Sequence, residues 1–144
     1  MTPDQVQPER VPAANERDKR LSPAGEISRG IVALFSRYTG RGPTKARTIL
    51  DANVVVVVLE DTLSKGEQHL VAAGEAEAVK MMRRTYQSAM RPEAIELVER
   101  ILDRPVLTAL SDVDPESNVA VEVFVLERLP ETAPSSPGVL RPPS

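Results

Sequence analysis

Residues 40–67 read Gly-Arg-Gly-Pro-Thr-Lys-Ala-Arg-Thr-Ile-Leu-Asp-Ala-Asn-Val-Val-Val-Val-Val-Leu-Glu-Asp-Thr-Leu-Ser-Lys-Gly-Glu. Within them Val54–Leu59 is a run of six apolar residues, five of them β-branched, the composition of a strand buried on both faces. Lys45–Leu50 alternates, with Lys45, Arg47 and Ile49 on one face and Ala46, Thr48 and Leu50 on the other, so it also reads as a strand. Asp51-Ala52-Asn53 supplies a tight turn between the two, Asn53 being of a type that tolerates positive φ. After the second strand, Ser64-Lys65-Gly66-Glu67 matches a capping box and predicts a short helix to about Ala73, stopped by Gly74.

On the N-terminal side, Ile27, Ile31, Leu34, Phe35 and Tyr38 recur at helical spacing and predict a helix over about Glu26–Tyr38. Gly40 is its stop, and Pro43 keeps the chain from resuming the helix. On the C-terminal side, Glu75–Leu102 is helical in composition, with Val79, Met82, Tyr86, Met90, Ala94, Leu97, Val98 and Ile101 along one face. Pro92 predicts a kink or short break near Arg91, because its ring opposes the Ser88 carbonyl. Val106–Val113 and Val119–Glu127 form a second hairpin turned by Asp114-Pro115-Glu116-Ser117. In its last strand Val119, Val121, Val123 and Val125 line one face, and Ala120, Phe124 and Leu126 line the other around Glu122.

Helix and hairpin thus follow one another twice, at 26–60 and 75–127. The expected fold class is α+β: two helix–hairpin units building a four-stranded antiparallel sheet with helices on one face. Both faces of two strands read as apolar, so the second face needs a cover. A second copy of the chain is the economical one, and a homodimer is expected.

The chain has 144 residues, enough for a single domain at most. Nine of its thirteen prolines lie in residues 1–23 and 129–144, stretches without apolar periodicity that read as disordered tails around a domain at 24–128. There is no cysteine, which excludes disulfides and thiolate metal sites. The N-terminal residues hold no apolar segment of a secretory signal, and no run approaches the ~18 apolar residues of a membrane span. A cytoplasmic protein without direct membrane insertion is expected, reaching any membrane through a partner. The net charge of −3 and an aromatic content of 3% argue against nucleic acid as a ligand.

Charge is uneven along the chain. Between Glu26 and Asp51 no acidic residue occurs, while Arg29, Arg37, Arg41, Lys45 and Arg47 do. Gly40-Arg41-Gly42-Pro43-Thr44-Lys45 follows a helix and precedes a strand, the reverse of a phosphate-binding loop, and its glycine spacing is wrong for one. Such a turn can still present amides to a small anion, so Gly40, Arg41, Gly42, Lys45 and Arg47 form the candidate anion site. The same residues also read simply as a helix stop and strand lead-in. His69 is the single histidine and has no metal-ligand spacing around it. Asp112-Val113-Asp114-Pro115-Glu116 opens like a calcium loop but has Ser117 where glycine is needed, and reads as a hairpin turn. No nucleophile elbow or acid–base pair stands out, and no catalytic residue, cofactor or metal is assigned.

The helix ending Gly40-Arg41-Gly42-Pro43, the basic strand Lys45-Ala46-Arg47, Leu63-Ser64 with Glu67, Arg83-Arg84, and Val123-Phe124-Val125-Leu126-Glu127 occur in an order that resembles the MpsC-like family. The likeness spans about Ile27 to Glu127. The family usually has Lys where Arg41 stands and Thr where Ser64 stands. The resemblance implies a small domain without established catalysis, associated with membrane systems that move ions or inorganic carbon. The expected function is a non-catalytic binding or regulatory module, with a membrane transport protein as partner and a small anion as ligand. The alternative is an enzyme acting on a small anionic substrate.

Overall fold

A computed structural model describes residues 22–130. The terminal stretches expected to be disordered lie, but for Ser22, Pro23, Leu129 and Pro130, outside the described residues. Helix α1 (Pro23–Thr39) begins three residues earlier than its apolar stripe indicates, because Ser22 is the N-cap, accepting a hydrogen bond from the Gly25 amide, and Pro23 occupies the first helical position. It ends on Gly40 at φ 83°, in the left-handed conformation expected of a glycine stop, with the Gly40 amide donating to the Ser36 carbonyl.

Strands β1 (Lys45–Asp51) and β2 (Val54–Glu60) make the first hairpin. Its turn departs from expectation in one detail: Ala52, not Asn53, takes the positive φ of 53°. Asn53 instead joins the hairpin to the far end of the chain, its side-chain amide donating to the Leu126 carbonyl at 3.2 Å. Helix α2 (Lys65–Ala72) starts on the Ser64–Glu67 capping box, with both reciprocal hydrogen bonds formed. Helix α3 (Ala76–Leu102) runs 27 residues without interruption. The break expected at Pro92 does not occur; Pro92 and Ser88 are both exposed residues, so the helical bond that proline cannot make is missing on the outer side of the helix and not in the core. Strands β3 (Val106–Asp114) and β4 (Val119–Leu126) complete the sheet, with a bulge in β3 between Val106 and Thr108.

All pairings are antiparallel and the strand order is β1-β2-β4-β3, so the two hairpins meet through their second strands. This is the α+β architecture of two helix–hairpin units expected from the sequence. Ala46, Leu59, Ala120 and Val113 form one row across the sheet; Leu50, Val55, Phe124 and Ala109 form another. Apart from Leu50, which is exposed at the β1 edge, these rows face α1 and α3, and with Ile27, Ile31, Leu34, Phe35, Met90, Ala94 and Val98 they make the core. Val54–Leu59 is therefore not buried on both faces within one chain. Val55, Val57 and Leu59 are fully buried, whereas Val54, Val56 and Val58 lie half-buried on the opposite face.

Candidate functional site

Three polar or open features stand out. The first is the corner where β2 leaves the sheet. Asp61 turns the chain at φ 60°, and the Asp61–Leu63 segment is gripped from three directions. Arg41 donates from Nη1 to the Asp61 and Leu63 carbonyls at 2.6 and 2.9 Å, and from Nη2 to the Asp61 carboxylate at 2.9 Å. Asn118, itself at φ 60°, accepts from the Thr62 and Leu63 amides at 2.8 and 3.0 Å. Arg83 donates to the Thr62 carbonyl at 2.8 Å and forks onto both oxygens of Glu67. Arg83 and Glu67 are both buried, and Glu67 also closes the α2 capping box. Burial pushes the Glu67 carboxyl up, but the Arg83 guanidinium and the Ser64 amide outweigh it and hold the group below the ordinary glutamate value. The Thr44 hydroxyl and then Arg41 hold Asp61 below the ordinary aspartate value.

The second feature lies between α3 and the sheet. Glu122 projects from β4 toward the helices and is only 6% exposed. Its carboxyl accepts hydrogen bonds from the Ser111 hydroxyl and from Gln87 Nε2, the latter at 2.8 Å. Burial pushes it up to about 7, against the opposing pull of Ser111, Gln87 and Arg91.

The third is the sheet face turned away from the helices. Four complete rows cross it: Lys45-Glu60-Val119-Asp114, Arg47-Val58-Val121-Asp112, Ile49-Val56-Val123-Leu110 and Asp51-Val54-Val125-Thr108. The two central strands supply seven valines, flanked by Ile49 at 47% and Leu110 at 60% exposure. No helix among the described residues covers the face.

The five residues of the candidate anion site are divided between these features. Gly40 caps α1. Gly42 packs against it so closely that a Cβ would lie 2.7 Å from the Ser36 hydroxyl. Arg41 meets an anion supplied by the chain itself, the Asp61 carboxylate, twenty residues further on and invisible to a local count of charges. Lys45 and Arg47 stand exposed on the open face at the β1 edge, and among the described residues neither joins an ion pair. His69 is exposed on α2.

Sequence reasoning missed Arg83, Gln87 and Asn118. The buried stripe of α3 runs Val79, Arg83, Gln87, Met90, Ala94 and Val98, not through Met82 and Tyr86. Its spacing of 4, 4, 3, 4 and 4 is fully helical once polar residues are admitted to the count.

A match to the family described as "Na+-translocating membrane potential-generating system (MpsC)" covers residues 20–128. An uncharacterized protein of Bacillus subtilis (strain 168), YrhF, is 30% identical over 91 residues, which are 62% of this chain and 75% of that protein. No solved structure matches. No helix among the described residues is long and apolar enough to cross a membrane. Arg41, Leu63, Ser64, Glu67 and Arg83, which carry the sequence likeness, converge on the one corner that ties β2 to both following helices, and the chain belongs to the MpsC family.

Proposed function

We propose that this chain is a non-catalytic binding or regulatory module of the membrane-associated system for which its family is named. In this reading it works in the cytoplasm, reaches the bilayer through a partner protein, and uses the open sheet face as its working surface. The observation that carries the reading is the uncovered field of valines on β2 and β4. Four strands about 4.8 Å apart and seven residues long make a face of roughly 20 by 24 Å whose middle is apolar and whose corners are charged, an apolar patch of the size that often marks a functional surface. The residues behind the family likeness support it from the other side: at the corner they hold backbone carbonyls and one another, and so build the fold.

The test is a photo-crosslinking residue introduced in host cells at Val121, on the open face, or at Ala89, on the exposed side of α3. Val121 is expected to give discrete adducts, identified by mass spectrometry as an integral membrane protein or as the chain itself, and Ala89 none. Equal labelling from both positions, or none from Val121, overturns the assignment of the surface.

Lys45 and Arg47, exposed and without an ion-pair partner among the described residues, favour a second element of the same reading, a small anion held at the β1 edge. They are two residues apart on one strand face, roughly 7 Å, a span that one phosphate or bicarbonate can bridge. Chemical-shift mapping with phosphate and bicarbonate is expected to move residues 45–47, with Arg47→Ala abolishing the shifts and added salt weakening them. Shifts that survive Arg47→Ala remove this element. Arg41 is unsuited to the same test, because its loss strands the Asp61 and Leu63 carbonyls.

A further inference from the structure

We propose that the open face is covered by a second copy of this chain, the two sheets packing face to face about a two-fold axis parallel to the strands and passing between β2 and β4. The inference rests on the reading of that face as the binding surface and adds the occupant and its orientation.

The argument comes from the four rows. An axis parallel to the strands keeps each row level and exchanges its ends. Val58 then lies over the other copy's Val121, Val56 over Val123, Val54 over Val125 and Ile49 over Leu110. At the corners Arg47 meets Asp112 and Lys45 meets Asp114, so the other copy's carboxylates and a free small anion compete for the same two cations. The other in-plane axis, perpendicular to the strands, inverts the rows instead. It lays Arg47 on Ile49 and Asp112 on Leu110, leaving charges on apolar partners, which is unfavourable. The first arrangement alone sets Arg47 on Asp112 and keeps Ile49 and Leu110 on each other; its mismatch is Glu60, an exposed strand-end residue, over the other copy's Val119. The rotation of about 30° between aligned sheets displaces the corners by a few ångströms, which the long Arg47 and Lys45 side chains absorb.

The receiving corner is shaped for this. A depression of about 430 Å³ is lined by Asp112, Asp114, Ser117, Val119 and Val121 together with Lys80. Arg84 reaches Asp112 at 3.1 Å from α3, and the Ser117 hydroxyl donates to Asp114 at 2.7 Å. Asp112, Asp114 and Glu116 still outnumber Lys80 and Arg84 there, while Lys45 and Arg47 outnumber Glu60 at the opposite corner. Sheet edges offer a poorer route to assembly: β1 carries Lys45 and Arg47, and β3 is bulged between Val106 and Thr108.

Within one chain Arg47 and Asp112 stand on opposite edges of the sheet, about 14 Å apart across three strand spacings, so they can compensate each other only between copies. Sedimentation equilibrium of the full chain is expected to show a dimer at micromolar concentration. Val56→Lys should abolish it while leaving the circular dichroism spectrum and a cooperative melt intact. Arg47→Asp and Asp112→Arg should each weaken association at least tenfold, and the two combined should recover most of it. Ile49→Cys with Leu110→Cys, in a chain that has no cysteine of its own, provides a variant that leaves the core untouched. A short bismaleimide should link this pair into covalent dimers and link neither single-cysteine chain.

A wild type that stays monomeric at 100 µM overturns the second copy as occupant. The reading of the face itself is then decided separately by whether Val121 crosslinks a membrane protein. A dimer that survives Val56→Lys places the interface elsewhere and overturns the second copy as occupant of this face; the reading of the face is again decided separately by the Val121 crosslink. A dimer lost in Val56→Lys but not recovered by the charge exchange overturns the axis.

Discussion

Replacing Arg83 by alanine is expected to cost about 3–5 kcal/mol of folding stability, the usual result of leaving one member of a buried ion pair alone. For a domain of ordinary stability, about 5–15 kcal/mol, that is a large share, and the melting temperature should fall by roughly 15 °C or more. The loss comes from what stays behind. Glu67 keeps its charge at a site that remains almost closed to water, and the Thr62 carbonyl loses its donor. Arg83→Lys should recover only part, because an ammonium cannot fork onto both carboxylate oxygens and still reach the carbonyl. Glu67→Gln combined with Arg83→Met should be markedly more stable than Arg83→Ala, since no buried charge remains. The net lowering of the Glu67 carboxyl fixes the pH sign. Its contribution is present above the ordinary glutamate value and is lost as pH falls through the lower folded value, so the difference between wild type and Arg83→Ala should shrink in acid. Urea unfolding at neutral pH checks the magnitude, and a cost below about 1 kcal/mol would show that the pair contributes little beyond the hydrophobic packing around it.

The sheet was legible in the sequence because strand alternation and turn residues are local signals. The strands expected over Lys45–Leu50, Val54–Leu59 and Val119–Glu127 agree with the observed ones to within one residue at each end, and the Gly40 stop and the Ser64–Glu67 box fall where they were expected. What escaped was decided by partners distant in the chain. Arg83 and Gln87 break the apolar count of α3 because their burial depends on Glu67 and Glu122, 16 and 35 residues away. Arg41 looked available to a ligand because its nearest acid in sequence is remote, yet Asp61 folds back onto it. The left-handed turn residue at Ala52 was misassigned for a similar reason. The preference of asparagine for that conformation yielded to a long-range hydrogen bond from Asn53 to Leu126. Glu122 was visible as a polar interruption in an apolar face, but its role needed the third dimension.

That role leads to the second large effect. A carboxyl raised to about 7 in the fold, against an ordinary glutamate value of 4.5, binds its proton more tightly when folded than when unfolded. Below the ordinary value both states are protonated and the group has no influence on stability. As pH rises from there toward 7 the unfolded chain ionises first, and above 7 the fold carries the whole cost of a buried carboxylate. At 1.36 kcal/mol per unit this amounts to about 3 kcal/mol. The domain should therefore be most stable near pH 5 and lose about that much by pH 8. Further acid should destabilise it again as Glu67 is protonated. Glu122→Gln is expected to flatten the profile between pH 5 and 8 and to exceed the wild type at pH 8, with little change at pH 5. An amide fits the site because the Ser111 hydroxyl can still donate to its oxygen, and a flip of the Gln87 amide turns its buried, partnerless Oε1 toward the new nitrogen in exchange for the bond from Nε2 to the Asp112 carbonyl. Glu122→Ala, by contrast, should destabilise at both pH values by leaving the Ser111 hydroxyl unpaired and Gln87 with only its bond to the Asp112 carbonyl. Denaturant midpoints across this range decide the matter. A wild-type profile as flat as that of Glu122→Gln would mean that Glu122 ionises in the fold at the ordinary pH, with Arg91 and the two hydrogen-bond donors offsetting its burial completely.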